Sequence, residues 1–414
     1  MEVKGRSRHI SRKSVVMFLL IFAGWWLSSA GLLVKYFHGR AGILVLAGAF
    51  CIAAVLYVLR RLQSGRDSQI HWAWLVAFFM VMVGFYAILY PIAISHVYGP
   101  GSDSEDALRV ATSQMLQGHF PYYLRTYLGD PITPMPGALL LAAPFLLLGR
   151  VSFQSLVWLC LFILFCLKFF RFRSTALAFL VVTTLANAGA LQSFVVGADY
   201  FVNVWYVCVT SVIFLRASEK NAARWQLVLA GVLLGIALSS RTVYVVIPPL
   251  LFAYLVQQGK GISTALSRIA VPIVTATAVT LPFYLYDPAH FSPLHVAGKL
   301  NFLPAEFRGP LLILLPTLGL IIACTGFFMS LTLPRLFLLA GLSSAVILIL
   351  PGLIWGIDAH FSEESLGLLT YGGASAVFVS LWAFSRFEDN FGIERKLNVS
   401  ATVQFESHGN FLVK

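Results

Sequence analysis

Hydrophobic runs of about 20 residues recur along nearly the whole chain, each long enough for a helix to cross the hydrocarbon core of a bilayer. No water pairs with the backbone there, so every N–H and C=O must find a partner within the protein, and only helices and closed barrels meet that demand. At that length the runs read as helices. They predict an all-α fold, a polytopic transmembrane helical bundle. The spans fall at 15–34, 41–59, 72–95, 152–170, 174–191, 200–216, 226–240, 243–257, 268–286, 310–330, 336–354 and 367–385, about twelve crossings. With 59% hydrophobic and 11% charged residues and a mean hydropathy of +0.83, the chain has too little polar surface for a soluble domain.

Positive charge sets the orientation. With the N-terminus inside, Lys35, Arg40, Arg109, Arg125, Arg150, Arg241, Lys299 and Arg308 fall outside. The rest of the 29 Lys and Arg, including the groups around Arg6, Arg60, Arg171 and Lys220, fall inside. Both termini are therefore predicted to be cytoplasmic, with a transmembrane body over 1–386 and a short tail over 387–414. The net charge of +12 arises from these dispersed signals and not from one basic face, which excludes nucleic acid as a partner. The segment from Pro136 to Gly149 is apolar but only about 14 residues long, so a re-entrant or steeply buried piece is expected. If it crossed, the groups around Arg171 and Lys220 would move outside, against the charge rule. The basic N-terminus and the apolar run from Val15 look like a signal peptide, but the run is too long for one, and an uncleaved first span is expected. All 5 cysteines lie in apolar segments without metal-ligand spacing, so neither a disulfide framework nor a zinc site is expected.

Most acids outside the two tails fall on the outer side, and Asp103, Glu105 and Asp106 stand together directly after the third span. At that level water reaches the chain, so carboxylates ionise without being buried in lipid while still facing a membrane-embedded substrate. The same acids suit a helix start, as an N-cap and first-turn carboxylates. Ala107 to Gln117 carries a helical stripe that Gly118 closes. Beyond it come His119, Phe120, Pro121, Tyr122 and Tyr123, then Gly129 to Gly137 with prolines at 131, 134 and 136. That much proline fixes a shaped loop over the bilayer. His119, Tyr122 and Tyr123 suit sugar stacking and hydroxyl contacts, and tyrosines at this depth also form an ordinary aromatic belt. The loop 96–135 is the candidate active site of a membrane enzyme.

An outer loop that opens with an acidic cluster, continues as a helix ending in glycine and leads through Pro-Tyr to a proline-glycine step resembles the GT-C superfamily. Its members are polytopic glycosyltransferases that use polyprenyl-phosphate sugars. The segment Ala230 to Arg241, with Gly231, Gly235 and Ala237 ahead of Arg241 and prolines at 248 and 249, is similar to a stretch of bacterial members, the polyprenyl-phosphate-mannose-dependent mannosyltransferases among them. Asp199, after Gly197 and Ala198, resembles a further acid of those enzymes. The matches cover roughly residues 72–290. Two spans ahead of the loop, where many members have one, and the lack of a large C-terminal soluble domain depart from the pattern.

The resemblance implies an inverting enzyme of the bacterial plasma membrane. It would move a hexose, mannose or similar, from a polyprenyl-phosphate sugar donor to a lipid, glycan or protein acceptor on the non-cytoplasmic face. One of Asp103, Glu105 and Asp106 would be the general base. Arg241, then Lys299 and Arg308, would hold the lipid phosphate, with His119, Tyr122, Tyr123 and Asp199 at the substrate. Glu105 and Asp106 would hold magnesium or manganese if a divalent cation is the cofactor, and the sequence leaves that choice and the identity of the base open. His290 and His295 are further loop candidates. A donor made inside and flipped across also accounts for the missing Gly-rich nucleotide fingerprint. The competing classes are a transporter or flippase of lipid-linked glycans, and a glycan polymerase or ligase. Transporters place ionisable groups near mid-membrane and often show internal repeats. Here the spans are nearly free of charge and the acids collect outside.

Overall fold

The computed structural model describes residues 12–64, 70–97, 101–219, 222–294, 305–358 and 360–389. Their regular structure is helical: α1 (Arg12–Phe37), α2 (Ala41–Ser64), α3 (Ala73–Ile94), α4 (Ser104–Leu116), α5 (Pro136–Leu147), α6 (Phe153–Phe169), α7 (Arg173–Leu180), α8 (Ala188–Val195) and α9 (Asp199–Glu219). There follow α10 (Arg224–Leu238), α11 (Ile247–Gln257), α12 (Ile262–Tyr286), α13 (Ala305–Cys324), α14 (Leu333–Leu348), α15 (Leu350–Asp358), α16 (Glu363–Leu369) and α17 over 373–389. Among the described residues, sheet-like pairing is limited to one isolated bridge between Arg125 and Pro131. Among the described residues, six helical stretches are long and apolar enough to cross a membrane, or up to 8 if each of two bent pairs is one span. One of the six, Ser14–Gln63, turns back at His38 and sets Gly48 against the Trp25 ring. In a straight helix those residues would lie about 35 Å apart, so α1 and α2 form an antiparallel hairpin.

The axis of the bundle is α9. Its sequence is apolar on every side, and a helix with no polar face buries itself at the centre of its neighbours. Phe201, Val204, Trp205, Cys208 and Phe214 are all fully or almost fully buried, and the Trp205 ring stacks on Phe162 of α6. On the other side α10 approaches α12 to backbone distance. A methyl group on Gly231 would sit 2.7 Å from Val271 Cγ1, and one on Gly235 would sit 2.6 Å from the Pro272 carbonyl. Small residues four apart allow that approach in lipid, so these glycines pack helices and do not line the site.

Two predicted spans are not straight. The run 174–191 starts as α7, widens into a π-helical turn at Val181–Leu185 and restarts as α8 at 75°. Asn187 stands at the corner. Its side-chain oxygen accepts from the Ala190 backbone N–H at 3.0 Å and from Ser29 Oγ at 3.0 Å, while its Nδ2 donates to Ser28 Oγ at 2.7 Å. Trp25 Nε1 donates to the freed Ala186 carbonyl at 2.8 Å. Side chains of α1 thus replace the backbone pairing that the break removes, the condition for a broken helix inside a bilayer. The run 336–354 becomes α14 and α15 at 43°, with Pro351 removing the N–H that would continue the ladder.

The apolar piece after the first loop is α5, of 12 residues, about 18 Å long and so well short of a crossing. Both its ends lie at one level. Ahead of it Thr133 contacts Arg241, which pairs with Asp199, and past it Ser152 packs on Gly197. Pro136, Gly137, Ala138, Leu139, Ala142 and Ala143 are its buried residues, and Leu140 and Leu147 are exposed. The opposite face gathers the groups assigned inside. Glu388 of α17 accepts from the Arg171 and Phe172 backbone N–H groups at 2.9 and 2.6 Å, Gln63 donates to Thr175 at 2.7 Å, and Arg268 donates to the Ser218 carbonyl.

Candidate functional site

The first loop folds as its sequence suggests up to Gly118, where φ is +75° and α4 ends. Asp103 does not cap α4 with its side chain. Its carboxylate instead accepts from Thr126 Oγ1 at 2.7 Å, which ties the start of the helix to the far part of the loop. Successive residues on a helix diverge by about 100°, so the acids separate. Asp106 turns toward the loop, accepting from Arg109 Nη2 at 2.5 Å and from the Tyr127 backbone N–H at 3.0 Å. Glu105 turns inward, with Cγ 3.2 Å from where a side chain on Gly197 would begin. Burial raises its carboxyl above the ordinary range, against the lowering influence of Arg109.

At the centre of this face is an ion pair between two helix ends. Asp199, the first residue of α9, and Arg241, just past α10, meet through Arg241 Nη2 at 2.5 Å from Oδ1 and 2.7 Å from Oδ2. The Asp199 side chain is 2% exposed and that of Arg241 16%. The guanidinium lies 5.1 Å from the centre of the Tyr200 ring, which meets Tyr371 edge-on at 4.9 Å. Arg241 Nε is buried without a hydrogen-bond partner. Gly137 lets this geometry form, since a methyl group there would lie 2.1 Å from Ser239 Oγ and 2.2 Å from the Ile236 carbonyl, forcing α5 off the end of α10.

Two cavities meet at Arg241, and a third lies beside Tyr200. The first, of about 670 Å³, is walled by Tyr123, Asp130, Tyr200, Arg241, His290 and Tyr371. An apolar groove of about 730 Å³ runs along Pro248, Ile273, Thr277 and Leu281, and it shares Met135, Arg241, Thr242, Val243, Tyr244 and Ile347 with the first. A smaller cavity of about 440 Å³ lies beyond Tyr200 and Tyr371, lined by Lys35, Asp103, Gln192 and Ser193. Arg241 is thus at the junction of a partly polar chamber with a more apolar groove, and Tyr200 and Tyr371 divide that chamber from the one holding Asp103.

Of the residues singled out from sequence, Asp103, Tyr123, Asp199 and Arg241 come together here. Tyr122 also borders the large cavity, but it is buried, donates to the Pro134 carbonyl at 3.2 Å and packs on Phe291, so it holds the loop. His119 is exposed at the end of α4 and, with Glu105, Asp106 and Arg308, borders none of the three cavities. Lys299 and His295 lie outside the described residues. Sequence reasoning did not single out Asp130, Tyr200, Tyr371, Gln192 or Lys35. Asp130 had a faint signal in its Gly-Asp-Pro turn, whereas Tyr371 reaches the site only through the fold. As for a divalent cation, no group of three or more His, Cys, Asp or Glu converges among the described residues, and both oxygens of Asp106 are already engaged. Glu105 and Asp106 meet different neighbours, Gly197 for the one and Arg109 for the other. No family model matches the chain, and neither a curated protein nor a solved structure matches it.

Proposed function

We propose that this chain is an inverting membrane glycosyltransferase of the GT-C type, taking a hexose from a polyprenyl-phosphate donor to a hydroxyl acceptor on the non-cytoplasmic face. The observation that carries the reading is the wall that the partly polar chamber and the apolar groove share at Arg241. A molecule with a sugar, a phosphate and an isoprenoid tail has that sequence of chemistries. Its tail fits along α12, its phosphate meets the guanidinium of Arg241 where it lines both spaces, and its sugar faces Tyr200 and Tyr371. The acceptor takes the smaller cavity. There Asp103, rather than Glu105 or Asp106, removes the proton of the attacking hydroxyl as C1 of the sugar inverts. In this reading α1, α2, α3, α6, the α7–α8 pair, α9 to α13, the α14–α15 pair and α17 are the crossings, with both termini inside a bacterial plasma membrane. One observation favours the transporter alternative: a span broken in mid-course at Asn187, a device common in carriers.

Transfer of label from polyprenyl-phosphate mannose or glucose, in membranes carrying wild type or the Asp103→Asn, Glu105→Gln and Asp106→Asn variants, tests the proposal. The expected result is loss of transfer in Asp103→Asn alone. Absence of transfer by the well-expressed wild type from either donor would point to the transporter.

A further inference from the structure

Past the end of α12, Asp287 holds groups from two parts of the chain. Its Oδ2 accepts from Tyr123 Oη at 2.9 Å and lies 2.8 Å from His290 Nδ1, and its Oδ1 accepts from the His290 backbone N–H at 3.1 Å. Phe291, fully buried, packs on Tyr122, and Ser292 Oγ donates to the Ile132 carbonyl. The turn is therefore fastened to the first loop on both sides of His290. Tyr123 and His290 border the large cavity, and Leu294 borders the apolar groove. With Nδ1 engaged by a carboxylate, Nε2 is the nitrogen left to meet a ligand.

Charge at the junction gives this imidazole a task. Arg241 is neutralised by Asp199, so the pair supplies hydrogen bonds but no net charge. A sugar phosphodiester that loses its sugar becomes a phosphate monoester and gains a negative charge as it leaves. The titratable and charged groups facing His290 are Asp287 on its own turn, Tyr286 at the end of α12, and Tyr123, Arg125 and Asp130 on the first loop. Arg125 Nη1 donates to the Gly129 carbonyl within its own turn.

We propose that His290, protonated and oriented by Asp287, is the acid that hands a proton to the departing lipid phosphate. This rests on the glycosyl-transfer reading above. As the acceptor oxygen bonds to C1, the bond from C1 to the phosphate oxygen breaks with its electron pair going to that oxygen. The acceptor's proton goes to Asp103, and the Nε2 proton goes to the phosphate, leaving polyprenyl monohydrogen phosphate and a neutral imidazole that water reprotonates. Asp287 is a positioning residue.

The test is the rate of sugar transfer from mannosyl-phosphoryl polyprenol to octyl mannoside as a function of pH, with purified protein in lipid nanodiscs. His290→Gln is expected to lower kcat by on the order of 100-fold with little change in donor KM, and to abolish the alkaline fall of the wild-type profile. Free imidazole is expected to restore part of the activity of His290→Ala. Asp287→Asn loosens the ring that the carboxylate holds at Nδ1, so it is expected to lower kcat with little change in donor KM, and Asp287→Glu is expected to recover part of the loss. A folded His290→Gln protein with the wild-type rate and profile, or Asp287→Asn with the wild-type kcat, would overturn the assignment while leaving glycosyl transfer intact. A wild type that transfers nothing would overturn both.

Discussion

Replacing Asp199 by asparagine keeps the shape of the side chain and removes its charge, which leaves Arg241 as an uncompensated buried cation. Taking one partner from a buried pair costs about 3–5 kcal/mol, because the remaining charge loses its counter-ion without regaining water. Arg241 is 16% exposed toward the cavity, so some hydration returns and the low end applies, about 3 kcal/mol. Arg241→Gln is expected to cost a similar amount by stranding Asp199, whose side chain is only 2% exposed. The double variant removes both charges and should cost no more than either single change, a coupling of about 3 kcal/mol. Reversible unfolding in mixed micelles, followed by tryptophan fluorescence, measures all three. Additive single effects, or a loss below about 0.5 kcal/mol in Asp199→Asn, would refute the claim that this pair joins α9 to the end of α10.

Gly137→Val is expected to destabilise by about 1–3 kcal/mol and to abolish transfer, since its branches would enter the space of Ser239 Oγ and the Ile236 carbonyl. Thermal melting and the transfer assay read the two effects. Glu105 has its carboxyl raised by burial, so its protonated form is favoured in the folded state. Its stabilising contribution is fully present below the unfolded value near 4.5 and is lost as pH rises through the folded value. Melting temperature against pH should show that decline in wild type, and a flatter curve in Glu105→Gln.

The parts of this fold legible in sequence are those fixed locally or by the membrane. Gly118 ends α4 because the chain there adopts a conformation that glycine favours, and the short apolar run after the first loop folds as the 12-residue α5. Partners remote in sequence were not legible. Asn187 is a polar residue within a predicted span, and it breaks the helix because Ser28 and Ser29, some 158 positions away, complete its hydrogen bonds. Asp199 and Arg241 each stood out singly, but their pairing needs α9 and α10 to end side by side. Glu105 and Asp106 read as an adjacent pair, yet helical rotation sends one to the core and the other to Arg109. His290 stood among loop histidines, and only the fold shows that Asp287 and Tyr123 orient it toward the cavity.

The central claim is that a lipid phosphate sits at Arg241 with its tail in the adjoining groove. Photolabelling with a polyprenyl phosphate bearing a diazirine on its isoprenoid chain, followed by peptide mapping, measures that most directly. Label is predicted on α12 around Ile273, Thr277 and Leu281, displaced by unlabelled polyprenyl phosphate and lost in a folded Arg241→Gln protein. Label spread over the lipid-facing surface of α2 and α13, and unchanged by competitor or by the substitution, would contradict it.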